Sequence, residues 1–228
     1  MLAVSIIPCR KGSIRLPKKN RRKIKGKTLA EISINTAKKI KFVNDIILTT
    51  DDNFLISKLK KRNNIKIIKR PKILANKKAK MVDVVLHAIK AYEKKFNKID
   101  LFILLQPTSP YRSLKKINSG FKKMFFYRLQ KSVVSVSNEC KDNKRFFLIR
   151  NNCLSLIKKK NINKKIVNKI YQMNGNFYIS TANFIKKHKS FFAKQKTLPI
   201  KFKSKVFSTD IDTKKDFINA KSLSRYIN

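Results

Sequence analysis

The order of strand and helix patterns constrains the fold of this chain more than any other feature of its sequence. Strand-like patterns rich in apolar residues lie at residues 3–8, 45–50, 65–68, 101–105, 133–136, 175–180 and 200–207. Helical spacing or helix-start signals indicate helices at residues 28–40, 53–61 and 82–96, near residue 113 and from about residue 213. Strands that alternate with helices form a parallel sheet with right-handed crossovers and helices on both faces. The sequence therefore predicts a three-layer α/β fold with a mostly parallel sheet.

The alternation of strands and helices stops near Glu139. Two short strand patterns at residues 145–149 and 153–157 indicate a strand pair, and a basic stretch follows at residues 158–169. We interpret residues 1–228 as a single domain in which residues 139–170 form an excursion, either a cap or a dimerisation arm.

The net charge of the chain is +45, which by itself favours an interaction with nucleic acid or an anionic membrane. The hydrophobic share of 42% is that of an ordinary globular protein. Basic residues occur in nearly every segment instead of forming one stripe, and no zinc-finger spacing or RNP aromatic motif is present. We therefore expect nucleic acid to bind only nonspecifically and in a salt-sensitive way.

The cysteines and the apolar runs indicate the cellular compartment of the protein. Three cysteines without C-x-x-C spacing indicate neither a disulfide framework nor a zinc site. No apolar run is long enough to cross a bilayer, and the first one, which ends at Pro8, does not resemble a signal peptide. The expectation is a cytoplasmic protein that does not engage a membrane.

The loop after the first strand, residues 9–20, reads Cys-Arg-Lys-Gly-Ser-Ile-Arg-Leu-Pro-Lys-Lys-Asn. In open α/β sheets, ligands bind beyond the carboxyl ends of the strands. Glycine lets the backbone approach a ligand closely, serine donates a hydroxyl, and an arginine can hold a phosphate through two hydrogen bonds. The loop has neither Walker spacing nor a G-x-G-x-x-G motif. It predicts a phosphate site of another kind, with an ordinary basic surface loop as the alternative.

Asp210 and Asp212 form a pair of carboxylates in a chain that has only 12 acidic residues. In extended backbone, residues i and i+2 point to the same side, so both carboxylates can face one site. Mg²⁺ is typically held by one or two carboxylates together with substrate oxygens and water. The pair predicts a Mg²⁺ site; the alternative is that one aspartate, or Thr213, caps the last helix.

Other polar residues also follow predicted strands. Residues 106–112, Gln-Pro-Thr-Ser-Pro-Tyr-Arg, offer hydrogen-bonding groups on a loop stiffened by two prolines, and could also be a plain turn. Asn174 and Gly175 could border a ligand or mark only a hairpin or bulge. Asp51 follows the second strand, where a side chain can reach a nucleotide or start a helix.

Taken together, these segments resemble the acylneuraminate cytidylyltransferases, the CMP-sialic acid synthetases. The resemblance begins at residues 6–20, Ile-Ile-Pro-Cys-Arg-Lys-Gly-Ser-Ile-Arg-Leu-Pro-Lys-Lys-Asn. It continues in order through residues 49–52, 70–71, 83–88, 104–112, 132–136, 174–179 and 210–217. It implies a Rossmann-like three-layer nucleotidyltransferase fold and a homodimer that forms through residues 139–170. It also implies an enzyme in which the anomeric hydroxyl of a nonulosonic acid attacks the α-phosphate of CTP, giving a CMP-sugar and pyrophosphate.

The resemblance also implies roles for individual residues. The catalytic residues would be Arg10, Lys19, Gln106, Asp210 and Asp212. The nucleotide would be bound by Arg10, Ser13, Arg15, Lys19, Asn20 and Asp51. The sugar would be bound by Gln106, Thr108, Ser109, Arg112, Asn174 and Gly175. The cofactor Mg²⁺ would be held by Asp210 and Asp212.

This chain departs from the family pattern at three places. Ile14 stands where the family often has a lysine, Cys9 and Lys11 replace an alanine and a glycine, and residues 75–81 are basic where many members are acidic and rich in serine. These departures leave alternatives open. The chain could be another sugar nucleotidyltransferase, for example one that acts on Kdo, a weakened homologue that binds nucleotide without turnover, or a nucleic-acid-binding protein.

Overall fold

The computed structural model describes residues 1–60, 64–138 and 145–226. Residue 61, at the end of one predicted helix, and residues 139–144, where the predicted excursion starts, lie outside the described residues. The strands are β1 (Ala3–Cys9), β2 (Lys23–Ile24), β3 (Lys27–Thr28), β4 (Asp45–Thr50), β5 (Ile65–Lys69), β6 (Leu101–Leu104), β7 (Ser132–Ser137), β8 (Phe146–Arg150), β9 (Cys153–Ile157), β10 (Gln172–Thr181) and β11 (Thr197–Phe202). The α-helices are α1 (Leu29–Lys38), α2 (Asn53–Leu59), α3 (Met81–Glu93), α4 (Leu114–Phe126), α5 (Ala182–His188) and α6 (Lys214–Leu223).

The main sheet of the described chain has seven strands in the order β11-β7-β10-β6-β1-β4-β5. β1 is parallel to β4 and β6, β4 is parallel to β5, and β11 is parallel to β7, whereas β10 runs antiparallel to both of its neighbours. The prediction of a mostly parallel α/β sheet is confirmed. Because β1, β4, β5 and β6 all end at the same edge and β10 begins there, the loops that follow these strands meet the start of β10.

Side chains of β1 show how the sheet is covered on both faces. Ala3, Ile7 and Cys9 pack into a cluster with residues of α1, α2 and α4. Val4 and Ile6 point the other way, into a cluster with residues of α3 and α5. This two-residue period is that of a strand buried on both sides, and it produces the three layers that the sequence predicts.

Polar residues at the starts of the helices fix where the chain leaves each strand. Thr28 and Glu31 form a capping box at α1, and Thr213 and Asp216 form one at α6. Asp52 accepts a hydrogen bond from the first turn of α2. These caps satisfy main-chain N–H groups that a helix cannot pair internally.

Two predicted strands differ by several residues in their bounds, and helix α5 and the hairpin β2–β3 were not predicted. The strand expected at residues 175–180 spans Gln172–Thr181. The strand expected at residues 200–207 spans Thr197–Phe202, and the chain then turns into a 3₁₀ helix, Lys205–Ser208. Ser204 accepts a hydrogen bond from Val206 N–H and starts that turn, so the apolar residues Val206 and Phe207 belong to a turn that packs back on the core. Helix α5 and the hairpin β2–β3 are too short to give a clear periodic signal.

The strands predicted within the excursion do pair, since β8 and β9 form an antiparallel hairpin. The first two residues of each strand, Phe146, Phe147, Cys153 and Leu154, are buried, and Phe147 forms a β-bridge with Tyr171. Leu156 and Val167 are half exposed, at 52% and 51%. Dimerisation through this segment stays a prediction. None of the described helices combines the length and the apolar character needed to span a membrane.

Candidate active site

The basic loop after β1 closes on itself through Asn20. This side chain is buried and donates from Nδ2 to the Arg10 carbonyl oxygen at 2.9 Å. Lys18 adopts a left-handed conformation with φ of +54°, which lets the chain turn into a short 3₁₀ helix. The loop therefore has one defined shape, and Arg10, Ser13 and Lys19 line a small cavity of about 100 Å³.

Two aspartates after β4 hold this loop from the other side. Asp51 Oδ1 accepts a hydrogen bond from the Lys11 main-chain N–H at 2.7 Å. Asp52, nearly fully buried, accepts from Arg21 Nε at 2.8 Å. Burial by itself raises the pKa of Asp52, but the hydrogen bond and charge of Arg21 outweigh that effect and hold the pKa below its usual value. Asp51 thus anchors the loop after β1 in this structure, and its contact with a nucleotide stays a prediction.

A small hydrophobic cluster joins the three segments that carry site residues. Leu16 comes from the loop after β1, Tyr111 from the loop after β6, and Ile211 lies between the two candidate metal ligands; all three are buried and pack near Ala220 of α6. The Tyr111 hydroxyl also donates to the Ala220 carbonyl oxygen. Apolar residues inside polar loops are the sequence signal for this cluster.

Asp212 is bound to the loop after β1 by two cations. Lys19 Nζ lies 2.8 Å from Asp212 Oδ1, and Arg15 lies 3.2 Å from Asp212 Oδ2. Lys19 also donates to the Ile211 carbonyl oxygen at 2.8 Å. Ile211 N–H in turn donates to the Thr108 carbonyl oxygen at 2.8 Å. Lys19, Asp212 and the loop after β6 therefore form one connected unit.

Asp210 lines a second, larger cavity of about 420 Å³, together with Gln106, Asn174 and Gly175. Gln106 lines the small cavity as well, so the two cavities adjoin at this side chain. The helix cap near these carboxylates is made by Thr213 and Asp216, and neither Asp210 nor Asp212 is the cap. The capping alternative therefore explains neither member of the pair.

The carboxylates of Asp210 and Asp212 limit which metal ion the site could hold. In the described part of the chain, three or more His, Cys, Asp or Glu side chains nowhere come together as a metal-binding group. Two carboxylates without further protein ligands fit Mg²⁺, which takes its remaining oxygens from substrate phosphates and water. They do not fit an ion that needs a complete protein cage, such as structural zinc.

The loop after β6 is braced from inside by Arg112. Its guanidinium donates to the carbonyl oxygens of Gln106 and Asn176, the latter at 2.9 Å, and to Ser33 Oγ at 3.2 Å. Burial lowers the pKa of Arg112 to about 9. Among the described residues that line the two cavities, neither Arg112 nor Ser109 occurs. In this structure Arg112 holds the loop in position, and its predicted direct contact with a sugar stays a prediction.

Asn174 and Gly175 lie at an irregularity in β10, where the pairing with β7 shifts in register. Asn174 is buried and accepts from Ser135 Oγ at 2.6 Å. Gly175 has φ of +79°, and a Cβ placed on it would lie 3.1 Å from Gln106 Nε2. Only glycine lets the backbone approach Gln106 this closely.

Replacing Gly175 with alanine should lower the free energy of unfolding more than the same change at Gly26. Both glycines have positive φ, +79° and +73°, so each variant carries left-handed strain of about 1–2 kcal/mol. A Cβ at Gly26 would meet nothing within 4 Å, whereas Gln106 must move in the Gly175 variant. Denaturant unfolding of both variants measures the difference, and equal losses would show that Gln106 does not pack on Gly175.

Arg70, directly after β5, is a cation that the site prediction did not include. Its side chain is buried, donates to the Thr49 carbonyl oxygen at 2.9 Å, and lines the small cavity. Its Nε has no hydrogen-bond partner among the described residues, and burial lowers its pKa. A buried guanidinium with an unused donor is suited to an anionic ligand. The sequence signal is an Arg-Pro pair immediately after a strand.

Comparisons with known proteins show the family to which the chain belongs. Residues 4–226 match the sequence model of the cytidylyltransferase family. The chain is 31% identical to the CMP-N,N'-diacetyllegionaminic acid synthase of Legionella pneumophila, over 95% of this chain and 94% of that protein. It is 27% identical to a pseudaminic acid cytidylyltransferase of Campylobacter jejuni, over 98% of this chain and 96% of that protein.

Solved structures show the same fold at low sequence identity. A CMP:2-keto-3-deoxy-manno-octonic acid synthetase complexed with CTP has a TM-score of 0.77 at 14% identity, and 99% of each chain is covered. The 4-diphosphocytidyl-2C-methyl-D-erythritol synthase of Anaerococcus prevotii has a TM-score of 0.66 at 15% identity, over 98% of this chain and 96% of that one. The fold implied by the resemblance in the sequence is confirmed.

Proposed function

We propose that this chain, which belongs to the cytidylyltransferase family, uses CTP to activate a nonulosonic acid, releasing a CMP-sugar and pyrophosphate. One observation carries the proposal: a small cavity lined by cations adjoins a larger cavity of sugar size, and Gln106 lines both. The first suits a triphosphate and the second suits the acceptor. Two relatives that match this chain over nearly their whole length are named for legionaminic acid and pseudaminic acid.

On the nucleotide side, we assign triphosphate binding to Arg10, Ser13, Lys19 and Arg70, which line the small cavity. Arg15 forms an ion pair with Asp212, which also binds Lys19 of this cavity. Asn20 and Asp51 hold the loop after β1 in its shape. Ile14, at a position where the family often has lysine, is 75% exposed. The cations lining the small cavity come from other positions, which argues against a weakened homologue.

The chemistry requires positioning and charge neutralisation more than covalent catalysis. The anomeric hydroxyl must approach the α-phosphate in line with the departing pyrophosphate, while negative charge grows on the phosphate oxygens. Lys19, held by Asp212 and by a main-chain carbonyl, presents a fixed ammonium to this region. Gln106, at the junction of the cavities, can orient the sugar toward the phosphate, and Arg112 and Gly175 hold Gln106 in place.

Asp210 and Asp212 are the residues that would hold Mg²⁺. When bound, this ion would neutralise phosphate charge and make the attacking hydroxyl more acidic. Asp212 already orders Lys19 and Arg15, so its carboxylate would connect the ion to the phosphate loop. A homodimer through residues 139–170 and a cytoplasmic location, where CTP is made, belong to the same proposal; light scattering tests the dimer.

Pyrophosphate release tests the function. With Mg²⁺ and a panel of nonulosonic acids, we expect release with CTP at a rate about tenfold or more above that with ATP, GTP or UTP, since each 1.4 kcal/mol of base discrimination gives a factor of ten. Circular dichroism and CTP binding establish that the sample is folded. A folded protein that releases no pyrophosphate with any acid would contradict the proposal.

A further inference from the structure

We infer that the end of α4 and the loop before β4 form a contact surface for an anionic membrane. This surface, the aromatic patch, consists of Phe42, Phe125 and Phe126 and the cations around them. None of these three side chains lines either of the two cavities described above, and the inference does not depend on the proposed function. The expectation that the chain does not engage a membrane rests on the lack of a spanning segment, which a surface contact does not require.

Three phenylalanines are exposed together in the aromatic patch. Phe126 is 79% exposed, the highest value for a large hydrophobic side chain in the described part of the chain, and Phe42 and Phe125 are 38% and 37% exposed. The rings of Phe42 and Phe125 lie 5.6 Å apart, and Phe42 also stacks on the buried Phe121 at 5.0 Å. The core therefore supports the patch from behind. Single exposed apolar residues are ordinary, but a contiguous group marks a contact surface.

The two segments that form the patch carry only positive charge. Residues 32–44 and 113–131 contain neither Asp nor Glu. The next acid after Phe42, Asp45, lies on the other face of the sheet, where it accepts a hydrogen bond from the Tyr92 hydroxyl. The exposed cations nearest to the rings in the sequence are Lys38, Lys39, Lys41, Lys122 and Arg128. Each cation close to an anionic lipid surface raises the binding constant roughly fivefold.

This combination of rings and cations favours a lipid surface over nucleic acid. Single-stranded nucleic acid is bound in a groove that follows its backbone, whereas these rings stand at the end of a helix and on a short loop. Apolar side chains that enter the boundary between headgroups and acyl chains, with cations beside them for the headgroups, are typical of proteins that bind at the membrane surface.

The aromatic patch lies at the sheet edge opposite to the candidate active site. Phe42 precedes β4, and the end of α4 precedes β7. β4, β6 and β7 run in the same direction, because β1 is parallel to β4 and β6 and β10 is antiparallel to both β6 and β7. Both segments therefore lie at the amino ends of the strands, about 20 Å from the carboxyl ends, since β4 has six residues. A membrane bound there leaves both cavities open to solvent.

A single tryptophan tests the inference, because the chain contains none. Phe126→Trp places the reporter in the patch. Ile73→Trp is the matched control, since Ile73 is 77% exposed, lies among lysines in the sequence and follows β5 at the opposite edge. The vesicles contain equal parts of phosphatidylglycerol and phosphatidylcholine, at about 0.15 M salt. We expect the emission of Phe126→Trp to shift to the blue and to be quenched about twofold or more by lipids brominated in their acyl chains. Ile73→Trp should show neither effect.

Phe126→Ser measures what the ring contributes to affinity. Burying one phenylalanine side chain is worth a factor of about ten or more, so the binding constant for the same vesicles, measured by cosedimentation, should fall by that factor. Ile73→Ser should leave it unchanged. Vesicles of phosphatidylcholine alone should bind the wild-type protein at least about tenfold more weakly, since they offer no net charge to the cations. Circular dichroism establishes that each variant is folded.

The outcomes either support the inference or overturn it. Quenching of Phe126→Trp alone supports it. Equal quenching of both reporters would show that the net charge attracts the protein without orientation, and quenching of neither would show that the rings do not enter the lipid; each result overturns the inference. So would a blue shift of Phe126→Trp that is caused by single-stranded RNA or by dimer formation, seen in light scattering, while brominated lipids do not quench it.

Discussion

Replacing Asp210 with asparagine should reduce pyrophosphate release from CTP by about 100-fold or more, without unfolding the protein. Loss of one electrostatic contact to a developing charge costs about 100–1,000-fold in other enzymes, and a carboxylate that holds Mg²⁺ would have that role under the proposed function. Asp210 is only partly buried and does not cap α6, so the substitution leaves that cap in place. Steady-state rates at saturating CTP and acid, with Mg²⁺ varied, measure the effect.

Asp83→Asn is the matched control, because Asp83 is an exposed aspartate in the first turn of α3. It should keep nearly the full rate. Paramagnetic resonance of Mn²⁺ in the presence of CTP supplies a second readout, and Asp210→Asn should weaken the binding of that ion. Asp212→Asn should also lose turnover, with an added rise in KM for CTP because Lys19 and Arg15 lose their partner. Full activity in both variants would refute the metal assignment.

The sequence was a sufficient guide wherever local pattern and topology determine the structure. The strand predicted at residues 45–50 has those bounds in the structure, because apolar residues buried on both faces give an uninterrupted run. Once the strands are parallel, the loops that follow β1, β4, β5 and β6 must meet at one edge. The location of the site therefore follows from strand order and needs no side-chain coordinates.

Features set by long-range contacts could not be predicted in this way. Nothing local in residues 106–112 indicates that Arg112 turns inward to main-chain carbonyl oxygens from β10 and its own loop. The spacing of Asp210 and Asp212 does not indicate that Asp212 contacts Lys19 and Arg15 or that Asp210 lines the larger cavity. The buried Ile211 between them is held by the Thr108 carbonyl oxygen, which decides how each carboxylate is presented.

Asp52→Asn should destabilise the protein by about 3 kcal/mol. Asp52 forms an ion pair with Arg21, whose guanidinium also lies over the ring of Phe54 at 4.6 Å. Breaking a buried pair from one side costs about 3–5 kcal/mol, because the remaining charge is left without a partner; the lower end applies because Arg21 is 24% exposed. Asparagine still caps α2, so the loss of stability measures the effect of removing the charge alone. Urea unfolding at neutral pH measures it.

The pH dependence of the stability lost in Asp52→Asn tests separately whether the charge of Asp52 is the cause. The pKa of Asp52 is held below its ordinary value of 3.8, so the stabilisation is complete above that value and disappears as the pH falls through the lowered pKa. The difference in unfolding free energy between wild type and Asp52→Asn should therefore be constant near neutral pH and shrink only in strong acid. Glu93→Gln, which breaks a more exposed pair with Lys186, should cost less than about 1 kcal/mol. If the two variants lose the same stability, the loop after β1 is not held by a buried charge, and the rigid phosphate site proposed for it loses its support.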